Sequence, residues 1–145
     1  MWKSTSTFLI SLALLMSLVY QPVLADQTDE ARAVAIDILK KIETKNNSEL
    51  WQNHVSDWFK KKITRDAFLA NMTITQSQLG GIGAGRTLIQ QNTADGDSQT
   101  GYTGKVYTFL FATTYPLAKV YEMIVLIREN TDYRMSGIYY TPNPN

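Results

Sequence analysis

Cysteine is absent from the 145 residues, and histidine occurs once, as His54. Without cysteine the chain forms no disulfide and no thiolate, so its stability must come from packing, and thiol catalysis is excluded. A single histidine does not build a zinc site of the usual His-rich kind, and no catalytic triad is indicated. We therefore expect neither a metal nor a cofactor.

An excess of charge of one sign is also missing, because 14 Lys and Arg residues face 13 Asp and Glu residues. Proteins that bind nucleic acid or anionic membranes through electrostatics carry a basic excess or a basic stripe. Lys60, Lys61 and Lys62 form the one basic run, and it is too short for such a footprint. We expect no nucleic-acid partner.

Long apolar runs are confined to the N-terminus. Lys3 precedes an apolar run over residues 8–19, and Val23-Leu24-Ala25 then gives the small residues of a signal-peptidase site before Asp26. The run is shorter than the roughly 20 residues of a transmembrane helix. We predict a signal peptide at residues 1–25, a single domain at 26–145, export to the periplasm or beyond, and no stable membrane anchor after cleavage.

The C-terminal half is rich in β-branched and aromatic residues. Three such runs, at residues 105–115, 118–128 and 133–140, are separated by Pro116 and by the polar turn at 129–132. Short connections of this kind join antiparallel neighbours. With residues 86–93 as a first strand, the pattern predicts a four-stranded antiparallel meander.

Helices precede the strands. Apolar residues spaced at three and four positions predict a helix over 29–44, a second helix after Ser48 and a third from Thr64 to about Leu79. Trp51, Val55 and Trp58 are placed on one face of the second helix. The predicted fold class is α+β, with N-terminal helices packed on a curved four-stranded antiparallel meander sheet.

Both faces of the 118–128 strand are largely apolar. Tyr121, Met123, Val125 and Ile127 form one face, and the other is apolar apart from Glu122 and Arg128. A sheet with one wet face shows cleaner alternation. Helices can cover one face, and we expect the other to be a pocket, a partner surface or a dimer interface.

Glu122 interrupts an otherwise apolar strand face. A buried carboxylate needs a charged or hydrogen-bonding partner, or else it takes up a proton. Arg86, Arg128 and Arg134 are the candidate partners. Two hypotheses follow: a salt bridge that fixes the sheet, or an acid or ligand contact in a pocket.

Two further motifs resemble ligand sites but lack the context these need. Residues 80–87 (GGIGAGRT) are similar to a phosphate-binding loop, yet such a loop follows a strand and opens a helix, and here the order is reversed. Asp95 and Asp97 start like a calcium loop, but its twelfth position would be Val106. We interpret these segments as a helix stop with a hinge and as a solvated hairpin loop.

The order of short segments along the chain resembles a bacterial exported family of domains of unknown function (number four thousand and nineteen). The matching segments are a helix with Trp51, Trp58-Phe59, Thr64, the Gly85–Leu88 segment, Val120-Tyr121-Glu122 and the final strand over 133–139. The chain departs from the family at Tyr133, where Trp is usual, and at Gly85, where Ser is usual. The resemblance implies a cystatin-like or nuclear-transport-factor-like fold. It marks Arg86, Glu122 and Gly137 as family positions without an assigned role.

From these observations we expect a non-catalytic ligand- or protein-binding accessory module. Its predicted ligand-binding residues are Arg86, Glu122 and Tyr139, and no catalytic residue is predicted. Its partner is expected to be an unknown protein, a small apolar ligand or a second copy bound through the sheet face. One alternative is a small polyketide-cyclase or ketosteroid-isomerase-like enzyme that uses Glu122 with Tyr121 or Tyr139. Another is a secreted partner-binding or inhibitor module.

Overall fold

The computed structural model describes residues 27–145, and the predicted signal peptide at 1–25 lies outside the described residues. Residues 31–145 belong to one compact unit, and residues 27–30, the described part of the other unit, are helical. Among residues 27–145 no helix is long and apolar enough to span a membrane. The α+β class predicted from the sequence is confirmed.

The helices come first along the chain. Helix α1 covers residues 27–43, α2 covers Asn47–Asn53, α3 covers Asp57–Lys60, and α4 covers Arg65–Leu79. Thr64 caps α4 as predicted, because its side chain accepts a hydrogen bond from the Ala67 amide. Gly80 ends α4 at φ 79°, a left-handed conformation that glycine adopts without the Cβ clash of other residues.

The prediction of one continuous second helix is wrong. The cap of α2 is Asn46 rather than Ser48, and α2 ends at Asn53. Residues 54–56 then run alongside the last strand: the Met135 amide donates to the His54 carbonyl at 2.7 Å, and the Ser56 amide donates to the Met135 carbonyl at 2.8 Å. These tertiary hydrogen bonds replace the helical ones, so α3 is a separate turn that starts after Ser56.

The sheet has four antiparallel strands in the order β1-β2-β3-β4, which confirms the predicted meander. The strands are β1 Ala84–Asp97, β2 Tyr102–Thr114, β3 Lys119–Glu129 and β4 Asp132–Pro142. The first strand is longer than predicted and takes in residues 94–97, which the sequence analysis placed in a loop. Irregular register between Ala84 and Thr87 marks a bulge near the start of β1.

One face of the sheet packs against the helices. Buried residues of α1, α2 and α4 meet those of β2, β3 and β4 in a single apolar core. Its fully buried members include Ile38, Leu39 and Ile42 of α1, Leu50 of α2, Phe109 of β2, and Ile124 and Leu126 of β3. Successive side chains of a strand point to opposite faces, so each strand contributes every second residue to this core. Direct partners on neighbouring strands lie on the same face.

We call the opposite side of the sheet the open face. It is formed by Thr108 and Leu110 of β2, Tyr121, Met123 and Val125 of β3, and Tyr139 of β4, which pair as Thr108 with Val125, Leu110 with Met123, and Met123 with Tyr139. These residues are half-buried or exposed and belong to neither core cluster of the described residues. Helices α1, α2 and α4 therefore pack against the other face, whereas α3 lies at one end of the open face.

Candidate functional site

Glu122 lies on the helix-facing side of β3 and is fully buried. Both carboxylate oxygens carry hydrogen bonds. Oε2 accepts from the Arg86 Nε at 2.8 Å and from the Thr113 hydroxyl at 2.6 Å. Oε1 accepts from the Tyr115 hydroxyl and, at 3.4 Å, from the Arg86 Nη2. A carboxylate held in this way has the polar partners that burial requires.

Arg86 joins this carboxylate to a second one on helix α1. Its Nη2 donates to the Glu43 Oε1 at 2.5 Å and to the Tyr115 hydroxyl at 3.2 Å. The side chains of Arg86 and Glu43 are 12% and 8% exposed. Burial lowers the pKa of the Arg86 guanidinium, but hydrogen bonds to Glu122 and then Glu43 outweigh burial and raise it, so the group stays charged. We call these five residues, Glu43, Arg86, Thr113, Tyr115 and Glu122, the Glu122 network.

Two tyrosines complete the surroundings of Glu122. Burial, followed by the hydrogen bond to Glu122, raises the pKa of Tyr115, so its hydroxyl remains a donor at neutral pH. Tyr140 is the cross-strand partner of Glu122, and burial followed by the Glu122 charge raises its pKa as well. The Tyr140 hydroxyl is buried without a hydrogen bond. Both tyrosines near Glu122 therefore keep their hydroxyl protons at neutral pH, and that of Tyr115 is donated to Glu122.

The cavity beside the Glu122 network is too small for a substrate. A cavity of about 10 Å³ lies beside Glu43 and Tyr115, and Glu122 is not among its lining residues. That volume is at the lower limit for one water molecule. A general acid or base must come within hydrogen-bond reach of its substrate. The geometry is that of a structural ion-pair network linking α1, β1 and β3.

A second candidate site lies at one end of the open face, where α3 and the turn after β1 meet it. Val106, Val125 and Ile127 contribute apolar side chains, and Trp58 and Phe59 of α3 lie against them. The remaining lining residues are Lys62, Asp97, Thr100, Tyr102, Ser136 and Tyr139. The space they enclose is about 130 Å³. We call it the Trp58 pocket.

Two caps place α3 over the sheet. The Ser56 hydroxyl accepts from the Phe59 amide at 3.0 Å. The Glu129 carboxylate, at the end of β3, accepts from the amides of Asp57 at 3.0 Å and Trp58 at 3.1 Å. A carboxylate at a helix N-terminus satisfies amides that have no helical partner. These hydrogen bonds hold α3, and with it Trp58, above the open face.

The Trp58 ring itself is held on two sides. It meets the Tyr102 ring edge-on at a centroid distance of 5.5 Å, and the Lys62 ammonium lies 4.9 Å from its centroid. The Lys62 Nζ also donates to the Thr100 carbonyl at 3.1 Å. The indole nitrogen is buried and has no hydrogen-bond acceptor. Among the side chains of residues 27–145, only Trp58 and Tyr140 carry such an unpaired buried polar atom.

Of the three residues that the sequence predicted as ligand contacts, the structure brings Arg86 and Glu122 together and places Tyr139 on the opposite face of the sheet. Arg86 and Glu122 form a salt bridge, so Arg86 is the partner of Glu122 among the three arginines considered. Arg134 instead donates to the Asn53 carbonyl, and Arg128 lies over the Tyr133 ring. Tyr139 is on the open face, 53% exposed, and lines the Trp58 pocket. Their role in ligand binding stays a prediction.

The predicted placement of Trp51 and Trp58 on one helical face is wrong. Trp51 packs on Phe68 at a centroid distance of 5.2 Å, next to the helical core, whereas Trp58 lines the pocket on the other side of the sheet. In the lysine run, the Lys60 ammonium lies over the Trp51 ring and the Lys62 ammonium over the Trp58 ring. Cation–π contacts of this kind fix the aromatic rings as well as the lysines.

Sequence reasoning missed Glu43, Thr113 and Tyr115. A signal for Glu43 exists: it follows Ala31, Ala35 and Leu39 at steps of four residues, and all three are fully buried. An acidic residue that continues a buried helical row predicts a buried partner. Thr113 and Tyr115 carry no comparable signal, because threonine and tyrosine are ordinary strand residues.

The remaining polar motifs have local partners. Asp95 forms a salt bridge with Lys105 at 2.9 Å, and Asp97 accepts from the Gln99 amide and the Thr100 hydroxyl, both at 2.9 Å. His54 is the C-cap residue of α2, and its Nε2 lies 3.0 Å from the Glu49 Oε1. No group of three or more carboxylates or imidazoles that could hold a metal occurs in residues 27–145.

Comparison with known proteins gives one finding. The sequence model of a family described as "Protein of unknown function (DUF4019)" matches residues 34–139. This range contains Glu43, Arg86 and Glu122 as well as Trp58 and Tyr139. No curated protein and no solved structure matches the chain.

Proposed function

The chain belongs to the DUF4019 family, and from this premise we propose that it is an exported, non-catalytic binding module. Its binding site is the Trp58 pocket, and the open face around the pocket is the surface that a partner or ligand approaches. The observation that carries the proposal is the unpaired buried indole N–H of Trp58 in the wall of a pocket with both apolar and polar side chains.

Leaving a buried donor without an acceptor costs roughly 1–3 kcal/mol. Such a group calls for an explanation, and a ligand that supplies the acceptor is one. The pocket is also of a useful size. A cavity of about 150 Å³ takes up benzene, so the Trp58 pocket at about 130 Å³ accommodates a single ring or one side chain.

The enzyme alternative has less support. Glu122, the proposed acid or base, already accepts four hydrogen bonds within the described structure. Tyr121 and Tyr139, the proposed donors, are on the open face, opposite to Glu122. A substrate would have to displace Arg86, Thr113 or Tyr115 before it reached the carboxylate.

The cystatin-like or nuclear-transport-factor-like likeness is part of the same proposal. Folds of that type place helices against a curved antiparallel sheet, and the order α1 to α4 followed by a four-stranded meander is compatible with it. Fold analogy does not select a function, so the pocket carries the argument.

A fragment screen by protein NMR tests the binding site. We expect single-ring compounds to shift backbone signals of residues 106, 125, 127 and 136, which line the pocket. Ser136→Phe fills the pocket and should abolish these shifts. Thr103→Phe adds the same ring at an exposed position outside the pocket and should leave them intact. A library that shifts no pocket signal in the wild-type protein would refute the proposed site.

The exported state and the sheet-face dimer are tested separately. Mass spectrometry of the protein recovered from its host should show cleavage before Asp26. An intact N-terminus would refute the signal peptide. Analytical ultracentrifugation with a Leu110→Lys variant tests the dimer, because Leu110 lies on the open face. A wild-type protein that sediments as a monomer would rule out the sheet-face dimer.

A further inference from the structure

The chemistry of the Trp58 pocket narrows the class of its ligand, on the premise that the pocket is the binding site proposed above. One buried donor of the pocket wall is unpaired. The Trp58 indole N–H has no acceptor, and an indole nitrogen can only donate. A ligand that satisfies it must carry an acceptor.

Two of the acceptor groups in the pocket wall, the Asp97 carboxylate and the Thr100 carbonyl, already accept hydrogen bonds from other groups. Asp97 uses one carboxylate oxygen for the Gln99 amide and the other for the Thr100 hydroxyl. The Thr100 carbonyl accepts from the Lys62 ammonium. Neither group accepts the Trp58 N–H, which has no partner among the described residues.

The charges around the pocket cancel. Lys62 and Asp97 are the charged residues among its lining, one of each sign. A charged ligand would be attracted by one and repelled by the other, and it would lose hydration against the apolar side chains of Val106, Val125 and Ile127. An uncharged ligand avoids both penalties.

We propose that the Trp58 pocket binds a small, uncharged, ring-sized molecule that carries one carbonyl or ether oxygen. The ring contacts the apolar side chains of Val106, Val125 and Ile127, and the oxygen accepts the Trp58 N–H. Because the indole nitrogen is shielded from solvent, the side chains beside it must shift before the ligand oxygen can reach it. Lys62 is the side chain placed to shift, since its ammonium makes one hydrogen bond, to the Thr100 carbonyl, and otherwise lies over the Trp58 ring.

A matched pair of probes tests the acceptor. Acetophenone and ethylbenzene have nearly the same shape, and only acetophenone has a carbonyl oxygen. We titrate each into the ¹⁵N-labelled protein and follow the indole N–H signals of its tryptophans, assigned with Trp51→Phe and Trp58→Phe. Acetophenone should move the Trp58 indole proton downfield and bind roughly tenfold more tightly, the ratio that about 1.4 kcal/mol gives. Sodium benzoate, the charged analogue, should bind more weakly than acetophenone.

The variants supply the control. Trp58→Phe keeps an aromatic ring but removes the N–H, so it should bind acetophenone and ethylbenzene equally. Trp51→Phe, which alters a ring packed on Phe68 next to the helical core, should keep the tenfold preference. The probe pair on the unmodified protein remains decisive even where a variant does not fold.

The outcomes separate this inference from the proposed function. Equal binding of the two probes to the wild-type pocket would refute the acceptor requirement and leave the binding site standing. Tighter binding of benzoate would refute the uncharged class. If none of the three probes shifts a pocket signal, the inference fails, and the fragment screen then decides whether the site itself fails with it.

Discussion

Replacing Arg86 by methionine tests how much the Glu122 network stabilises the fold. The variant keeps an unbranched side chain but removes the guanidinium, which makes four hydrogen bonds to Glu122, Glu43 and Tyr115. Glu122 is fully buried and the Glu43 side chain is 8% exposed. Two carboxylates would then share a buried site without a cation.

Removing one partner of a buried ion pair costs about 3–5 kcal/mol. For a domain of this length, 1 kcal/mol shifts the melting temperature by roughly 3–5 °C. We therefore expect Arg86→Met to lower the melting temperature by roughly 10–20 °C, measured by circular dichroism at pH 7. Urea titration should show a matching fall in the unfolding midpoint with an unchanged slope.

Arg65→Met is the matched control. The Arg65 side chain is 53% exposed, with Ser48 and Asp66 as its partners, and such surface replacements stay within about 0.5 kcal/mol. In a Glu122→Gln background, Arg86→Met should be at least about 1 kcal/mol less costly, because the two residues are coupled. If Arg86→Met behaves like the control, or costs the same in both backgrounds, the network does not stabilise the fold as argued.

Three further predictions concern the tyrosine, the α3 cap and the glycines. The folded-state pKa of Tyr115 is raised by burial and then by Glu122, so its stabilisation is complete below the unfolded-state value near pH 10 and is lost as pH rises above it. Tyr115→Phe should therefore flatten the fall in stability above pH 10, whereas Tyr139→Phe, at an exposed position, should not; urea midpoints from pH 8 to 11 check this. Glu129→Ala removes the carboxylate that accepts two amides of α3, so it should cost about 1–2 kcal/mol in urea unfolding and weaken probe binding at the Trp58 pocket; unchanged probe affinity would show that the cap does not position α3. Gly80→Ala and Gly85→Ala both place a side chain at positive φ, which costs about 1–2 kcal/mol, but only at Gly80 would the new Cβ lie 2.4 Å from another side chain. Thermal melts should rank Gly80→Ala as the less stable of the two, and the reverse order would contradict the close approach to Leu117.

The order and type of most secondary-structure elements were predictable because they depend on local periodicity. Helix α4, its Thr64 cap and its glycine end follow from side-chain chemistry within a few residues. The strands β2 to β4 follow from runs of β-branched and aromatic residues between turn signals. The family membership also followed from the order of short segments.

The break between α2 and α3 was not predictable in this way. Periodicity placed Trp51 and Trp58 on one helical face, and nothing near them in sequence opposes that. The deciding hydrogen bonds come from Met135, 81 residues after His54, and from Glu129. Tertiary contacts of this range override helical propensity, so the location of Trp58 over the open face could not be derived from its neighbours.

The sequence by itself determined that Glu122 would be buried and that an arginine was its natural partner, because an acid in an apolar strand face has few alternatives. Only the tertiary structure selected Arg86, added Glu43, and put Tyr140 rather than Tyr139 beside the carboxylate. The register of β4 against β3 makes that last choice, since adjacent residues of a strand point to opposite faces and a shift of one residue exchanges them. Register depends on the pairing of whole strands, and no short stretch of sequence contains it.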